Sequence, residues 1–128
     1  MQYLSDEWMQ AADETLRGDD ELSAAAGDAT LTIQYDVSGA PGGAKQYALL
    51  VEGGTVGIDQ GKHPDAPVSF SLDYDTAVEI AKGELAAQAA FMQGRLKLGG
   101  DVTVLVRQHA LLDRMGDALG ELRERTTF

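Results

Sequence analysis

The hydrophobic positions change period twice along this 128-residue chain. Near the start, Trp8, Ala11, Ala12 and Leu16 recur at helical spacing after Ser5, a residue that caps helices, and Asp6 and Glu7 suit the first turn. The pattern predicts a helix ending at Gly18 and a short second one, "DELSAAAG", ending at Gly27. In "ATLTIQYDVSG", Leu31, Ile33, Tyr35 and Val37 alternate with Thr30, Thr32, Gln34 and Asp36. That period of two predicts a strand with one wet face. "KQYALLVEGG" is too apolar to alternate and reads as a strand inside a sheet. Gly53–Gly54 then turns it into "TVGID" as a hairpin. "VSFSLD" alternates again, with Val68, Phe70 and Leu72 facing inward.

From Tyr74 the period returns to helical. "DTAVEIAKG" opens at Asp73 or Asp75 and closes at Gly83. "ELAAQAAFMQG" closes at Gly94. "RLKLGG" predicts a short strand with Leu96 and Leu98 on one side and Arg95 and Lys97 on the other. Asp101 then caps the longest run, "DVTVLVRQHALLDRMGDALGELRER", read as one helix. Its seam is Leu105, Leu112, Met115, Leu119 and Leu122, widened by Val102, Val104, Val106 and Leu111. Gly116 and Gly120 each weaken a helix by about 1 kcal/mol, which places a bend or fraying after Met115. The order predicts one α+β domain over residues 1–128, its helices gathered on one face of a five-stranded sheet, with residues 1–27 as an N-terminal helical segment.

Hydrophobic residues form 44% of the chain, enough for a core, and cysteine is absent. Thiol catalysis, disulfides and Cys-based zinc sites are therefore excluded. Net charge is −11. This disfavours nucleic acid, whose binding needs Lys and Arg at the phosphates, and stable anchoring on anionic lipid. Residues 1–81 carry a net −12 and residues 82–128 a net +1. No segment approaches the roughly 20 apolar residues of a membrane span. "MQYLSDEWMQ" lacks a signal peptide's basic start, and "RTTF" matches no organelle address, so the expected location is cytoplasmic.

Catalytic chemistry is not legible. "GIDQGKH" has one residue too few for a Walker A loop and His where Ser or Thr belongs. His63 and His109 show no zinc-ligand spacing. The carboxylates gather at helix starts and wet faces, and no pair stands out as acid and base. No GxSxG elbow occurs. The expectation is a non-enzyme with no catalytic residue, metal or cofactor.

The unusual stretch is 84–115. Phe91 and Met92 are adjacent and so point to different sides of their helix. One sheet face cannot absorb this much apolar helix. The surplus fits a crowded core, a dimer interface or an apolar ligand, and methionine adapts to varied guests.

The block "GELAAQAAFMQGRLKLGGD" at 83–101 resembles the late block of the sterol carrier protein 2 domain. There, "Gly-Glu/Lys-Leu" opens a helix, and "Phe-Met-x-Gly-x-Leu-Lys-x-x-Gly-Asp" enters the terminal one. "ATLTIQYDVSG", "KQYALLVEGGTVGIDQG" and "PDAPVSFSLDYDTAVEIAKGEL" look like that family's first strand, central hairpin, and fourth strand with its helix. The resemblance covers residue 28 to the end. It implies a five-stranded mixed, mainly antiparallel sheet with helices on one face, and an apolar tunnel between them. It further implies non-catalytic binding or carriage of a fatty acid, acyl-CoA or sterol-like lipid. Carried over, Phe91, Met92, Leu96, Leu98, Leu105, Leu112 and Met115 line the tunnel. Phe70, Val78 and Leu85 close its other side, and Trp8 serves as a lid. Eukaryotic members tend to be basic with a peroxisomal tail. This acidic chain fits better as a bacterial cytosolic carrier, monomer or homodimer. The alternative is an interaction protein or accessory subunit of an enzyme, using the apolar C-terminal helix as interface.

Overall fold

The computed structural model describes residues 1–101 and 103–128, except for the side chains of Val104 and Leu105. Helix α1 (Asp6–Arg17) begins where the Ser5 hydroxyl accepts the Trp8 N–H at 3.2 Å. Helix α2 (Asp20–Ala26) begins where the Asp19 carboxylate accepts the Leu22 N–H at 2.8 Å. Helix α3 (Tyr74–Ala81) repeats the device, Asp73 accepting from Thr76 at 2.7 Å. In each case a short polar side chain satisfies an N–H that the first turn leaves free.

Five strands form one sheet: β1 (Leu31–Ser38), β2 (Lys45–Glu52), β3 (Thr55–Gln60), β4 (Val68–Asp73) and β5 (Leu96–Gly100). Their spatial order is β3-β2-β1-β4-β5. All neighbours are antiparallel except β1 and β4, which run parallel. This is the mixed, mainly antiparallel α+β sheet the sequence leads one to expect. The β2–β3 hairpin turns on Gly53 and Gly54, with φ of 59° and 78°, a left-handed pair that glycine adopts without a Cβ penalty.

Register puts Leu31, Ile33, Tyr35 and Val37 of β1 on the same face as Tyr47, Leu49 and Val51 of β2, Val56 and Ile58 of β3, Val68, Phe70 and Leu72 of β4, and Leu96 and Leu98 of β5. That face joins Trp8, Met9, Ala12, Leu16, Leu22, Leu111 and Leu122 of the helical side in one core. Helix α1 lies along the edge strand β3. Its Asp13 carboxylate accepts the Ile58 N–H at 2.8 Å, and Arg17 holds that carboxylate at 2.9 Å. The edge is thereby closed to further strand pairing. Gly57 permits the approach, because a Cβ there would stand 2.6 Å from both Arg17 Nη2 and Asp13 Oδ1.

The helices after β4 depart from the sequence reading. Helix α4 (Ala87–Met92) is shorter than "ELAAQAAFMQG" suggests, and only Ala90 in it is buried. The terminal run divides into α5 (Thr103–Arg107) and α6 (His109–Gly120), followed by a 3-10 turn at Arg123–Arg125. The break falls at Gln108 (φ −111°, ψ 23°), not after Met115. Three of the five residues of α5 are β-branched and persist poorly as helix, whereas Gly116 sits inside α6 without breaking it. Asp101, just ahead of α5, accepts the Thr103 N–H at 3.2 Å. Among the described residues no helix is long and apolar enough to cross a membrane.

Candidate functional site

The candidate site is sought where the inner sheet face meets the helices that follow β4. Phe70 is buried at the centre of β4, opposite Leu98 of β5, and Leu96 is buried opposite Leu72. Leu98 is half-buried, as are Val78 of α3, Leu85 before α4, and Leu112 and Met115 of α6, all packed against the core. These seven residues therefore share one interior region. Leu105 lies outside the described side chains.

Two expected wall residues stand elsewhere. Phe91 is 51% exposed and Met92 84% exposed, so neither faces the interior in this arrangement. With Val106 they are the large apolar side chains most open to solvent among the described residues. The reason is the shortness of α4, which turns only its Ala90 side inward. Trp8 is not a lid. It is 5% exposed and meets the Tyr3 ring edge-on at 4.9 Å, inside the core. Arg95 also differs from expectation. It leaves the strand's outer face and turns to α3, where its Nε donates to Thr76 Oγ1 at 3.2 Å and its Nη2 pairs with Glu79.

The region holds a group that the sequence reading passed over. The Tyr35 and Tyr47 rings stack with centroids 4.8 Å apart and planes 4° apart, and Phe70 meets Tyr35 edge-on at 5.0 Å. Burial pushes both phenols well above the ordinary tyrosine range, with Tyr3 adding to the effect on Tyr35 and Tyr35 to that on Tyr47. Both nevertheless keep accessible surface. The alternation of β1 already put Tyr35 on this face. Tyr47 was hidden, because β2 is apolar on both sides.

Two concavities occur at the margins. One of about 160 Å³ opens at the strand ends, between Val37, Lys45 and Leu72 among others. The other, about 290 Å³, lies between α1, α2 and α6 and is lined by Asp19, Asp20, Glu21 and Arg114 among others. Among the described residues, none of the expected lipid-site side chains lines either one. Among the described residues no group of three or more His, Asp or Glu side chains is placed to hold a metal ion.

A sheet of this order, roofed on one face by helices with a partly accessible apolar interior, defines a class of small α+β domains. Residues 7–113 match the SCP-2 sterol transfer family, and the chain belongs to it. The cattle protein "Hydroxysteroid dehydrogenase-like protein 2" is 32% identical over 111 residues, which is 85% of this chain but 26% of that protein. The chain thus spans about a quarter of that relative's length. The Caenorhabditis elegans "Non-specific lipid-transfer protein-like 1" is 22% identical over 113 residues, covering 88% of this chain and 93% of that one. Among solved structures, "sterol carrier protein 2" superposes with a TM-score of 0.78 at 20% identity, covering 94% of this chain and 98% of that one. A Thermus thermophilus protein superposes at 0.77, also at 20% identity, covering 95% and 90%. At that identity the structural likeness speaks for the fold.

Proposed function

We propose that this chain binds and carries an apolar lipid, without catalysis, in the space between the inner sheet face and the helices. The observation that carries this reading is the set of half-buried apolar side chains Val78, Leu85, Leu98, Leu112 and Met115 around buried Phe70 and Leu96. A well-packed interior leaves few such surfaces, because voids forfeit dispersion contacts. An apolar guest restores them. Family membership and the names of the relatives support the same reading. Phe91 and Met92 then belong to the rim and fold inward over a guest. The protein works in the cytoplasm of a bacterium, as monomer or homodimer, and holds a fatty acid, acyl-CoA or sterol-like molecule. Native mass spectrometry of the purified protein and uptake of a fluorescent fatty acid test this. Co-purified lipid or saturable uptake is expected. A well-folded sample with neither would overturn it.

A second reading has its own observation. Phe91, Met92 and Val106 are exposed apolar groups, and such groups mark interaction surfaces when they are contiguous. The chain would then be an interaction module or an accessory unit serving an enzyme, as its partial coverage of a longer relative suggests. Light scattering at micromolar concentration separates the homodimer version, which requires a dimer mass.

A further inference from the structure

Between α3 and β5 the chain makes an excursion that is fastened at both ends and loosely held in the middle. It leaves at Gly83 and returns at Gly94, with φ of 77° and 75°. That left-handed region costs glycine nothing, and a Cβ at Gly94 would meet no atom within 4 Å. On the fixed side of Gly83, Arg123 Nε donates to the Ala81 carbonyl at 2.7 Å. On the fixed side of Gly94, Arg95 Nε donates to the buried Thr76 hydroxyl at 3.2 Å and its Nη2 pairs with Glu79. This clasp ties the start of β5 to α3, so both ends of the excursion belong to one frame. Helix α4 lies between them. Helices α1, α2 and α3 each begin on a side-chain cap, whereas Ala86 offers none to α4. Its six residues are too few to hold a helix by themselves. Ala90 is buried and Leu85 half-buried against the core. Among the described residues no side chain from 83 to 94 makes a hydrogen bond or an ion pair. The ties at the hinges are backbone bonds, such as Leu85 N–H to the Glu79 carbonyl at 3.2 Å and Arg95 N–H to the Ala90 carbonyl at 2.9 Å.

We propose that residues 83–94 form a lid, hinged at Gly83 and Gly94, that swings Phe91 and Met92 from solvent onto a bound lipid. This rests on the lipid-binding reading above and assigns control of access to the same site. A hinge is a few positions that absorb the change in φ and ψ while the pieces on either side keep their shape. Phe91 and Met92 stand in water without a guest. A lipid chain supplies the apolar surface that covers them, which is the driving force for closure. The blade gives up little when it moves, because Leu85 and Ala90 are its inward contacts. The Arg95 clasp keeps the motion out of α3, so Val78 stays in place as a wall.

The chain has no cysteine, so nitroxide labels can be placed at chosen pairs. Glu52→Cys with Gln88→Cys spans β2 to α4, and Glu52→Cys with Asp75→Cys spans β2 to α3. All three positions are exposed. Label-to-label distances are recorded by pulsed electron paramagnetic resonance with and without palmitic acid, and native mass spectrometry of the same samples reports the palmitic acid bound. The 52–88 distribution is expected to shift beyond its lipid-free width while the 52–75 distribution stays. An unchanged 52–88 distribution in a palmitate-bound sample overturns the lid. Equal shifts in both pairs overturn the hinges, because the whole roof then moves. Amide hydrogen exchange of the unsubstituted chain covers the case of a labelled variant that misfolds. Amides of residues 84–93 should slow on palmitate binding by a larger factor than those of α3, and an equal or smaller factor overturns the lid. Should the folded wild type bind neither palmitic acid nor a fluorescent fatty acid, the lipid-binding reading itself falls, and the lid with it. Bound palmitic acid over a motionless α4 removes the lid alone.

Discussion

Arg114 of α6 holds Asp19, the capping residue of α2, with Nη2 to Oδ2 at 2.6 Å. One carboxylate thus does two jobs 95 positions apart in sequence: it starts a helix and fastens another to it. Glu21 adds a second contact to the same guanidinium at 3.3 Å. Helix α6 lies against α1 and α2, so this pair fixes part of the roof over the candidate site. The Arg114 hydrogen bonds, followed by the Leu22 N–H, hold the Asp19 carboxyl below its usual range.

Arg114→Ala should fold but melt a few degrees lower, with weaker lipid uptake because α6 carries Leu112 and Met115. The pH dependence has a definite sign. A carboxyl with a depressed folded pKa contributes stability above its unfolded value, near about pH 4, and loses it as pH falls through the folded value. Asp73 and Asp101 are depressed as well, the first through Thr76 and the second through Thr103. Melting temperature measured from about pH 7 down to about pH 2.5 should fall on the acid side. The fall should be shallower in Arg114→Ala. An identical acid limb in both proteins would remove Asp19 from the account.

Gly100→Ala should be severely destabilising, by about 2–4 kcal/mol. Gly100 has φ of 79°, and a Cβ there would run into the Pro67 carbonyl. That same carbonyl accepts the Asp101 N–H at 2.9 Å and ties the end of β5 to β4. Denaturant unfolding checks the magnitude. A change below about 0.5 kcal/mol would mean that the strand end relaxes freely.

Met92→Asp should leave stability within about 0.5 kcal/mol of wild type, since the side chain stands in solvent. This makes it a clean probe of the rim. If Met92 folds over a bound lipid, uptake of a fluorescent fatty acid should drop while the melting curve stays put. Unchanged uptake would exclude Met92 from the site. Phe91→Asp is the companion experiment, with a somewhat larger stability cost because half of that ring is covered.

Met115→Trp should block uptake and preserve the fold. Met115 is half-buried against the core, so a larger ring has accessible space to fill. Circular dichroism with a binding titration decides between the outcomes. An unfolded Met115→Trp would place that residue in packed core, where overpacking commonly costs about 1–3 kcal/mol.

Much of the fold was legible because its signals are local. Ser5, Asp19 and Asp73 announce helix starts through bonds that reach only three residues onward. Gly53–Gly54 announces a hairpin through its own backbone. The alternation of Leu31, Ile33, Tyr35 and Val37 marks the buried face of β1 whatever lies opposite. The candidate site was less legible. Phe70 and Leu96 are buried as an apolar strand residue suggests, whereas Phe91 and Met92 stand outside, because an apolar side chain carries no record of which way a short helix will turn.

What the sequence by itself determined is therefore the element types, most of their boundaries, the α+β class and the acidic, cysteine-free chemistry. Each depends on side-chain period, on a cap or on composition, and these act within a few residues. Only the tertiary structure decided that β4 joins β1 in parallel, that the terminal run breaks at Gln108, and that Tyr35, Tyr47 and Phe70 meet. These depend on register between strands and on what packs against each face. Such contacts are set by the whole core at once, so no single stretch of the chain encodes them.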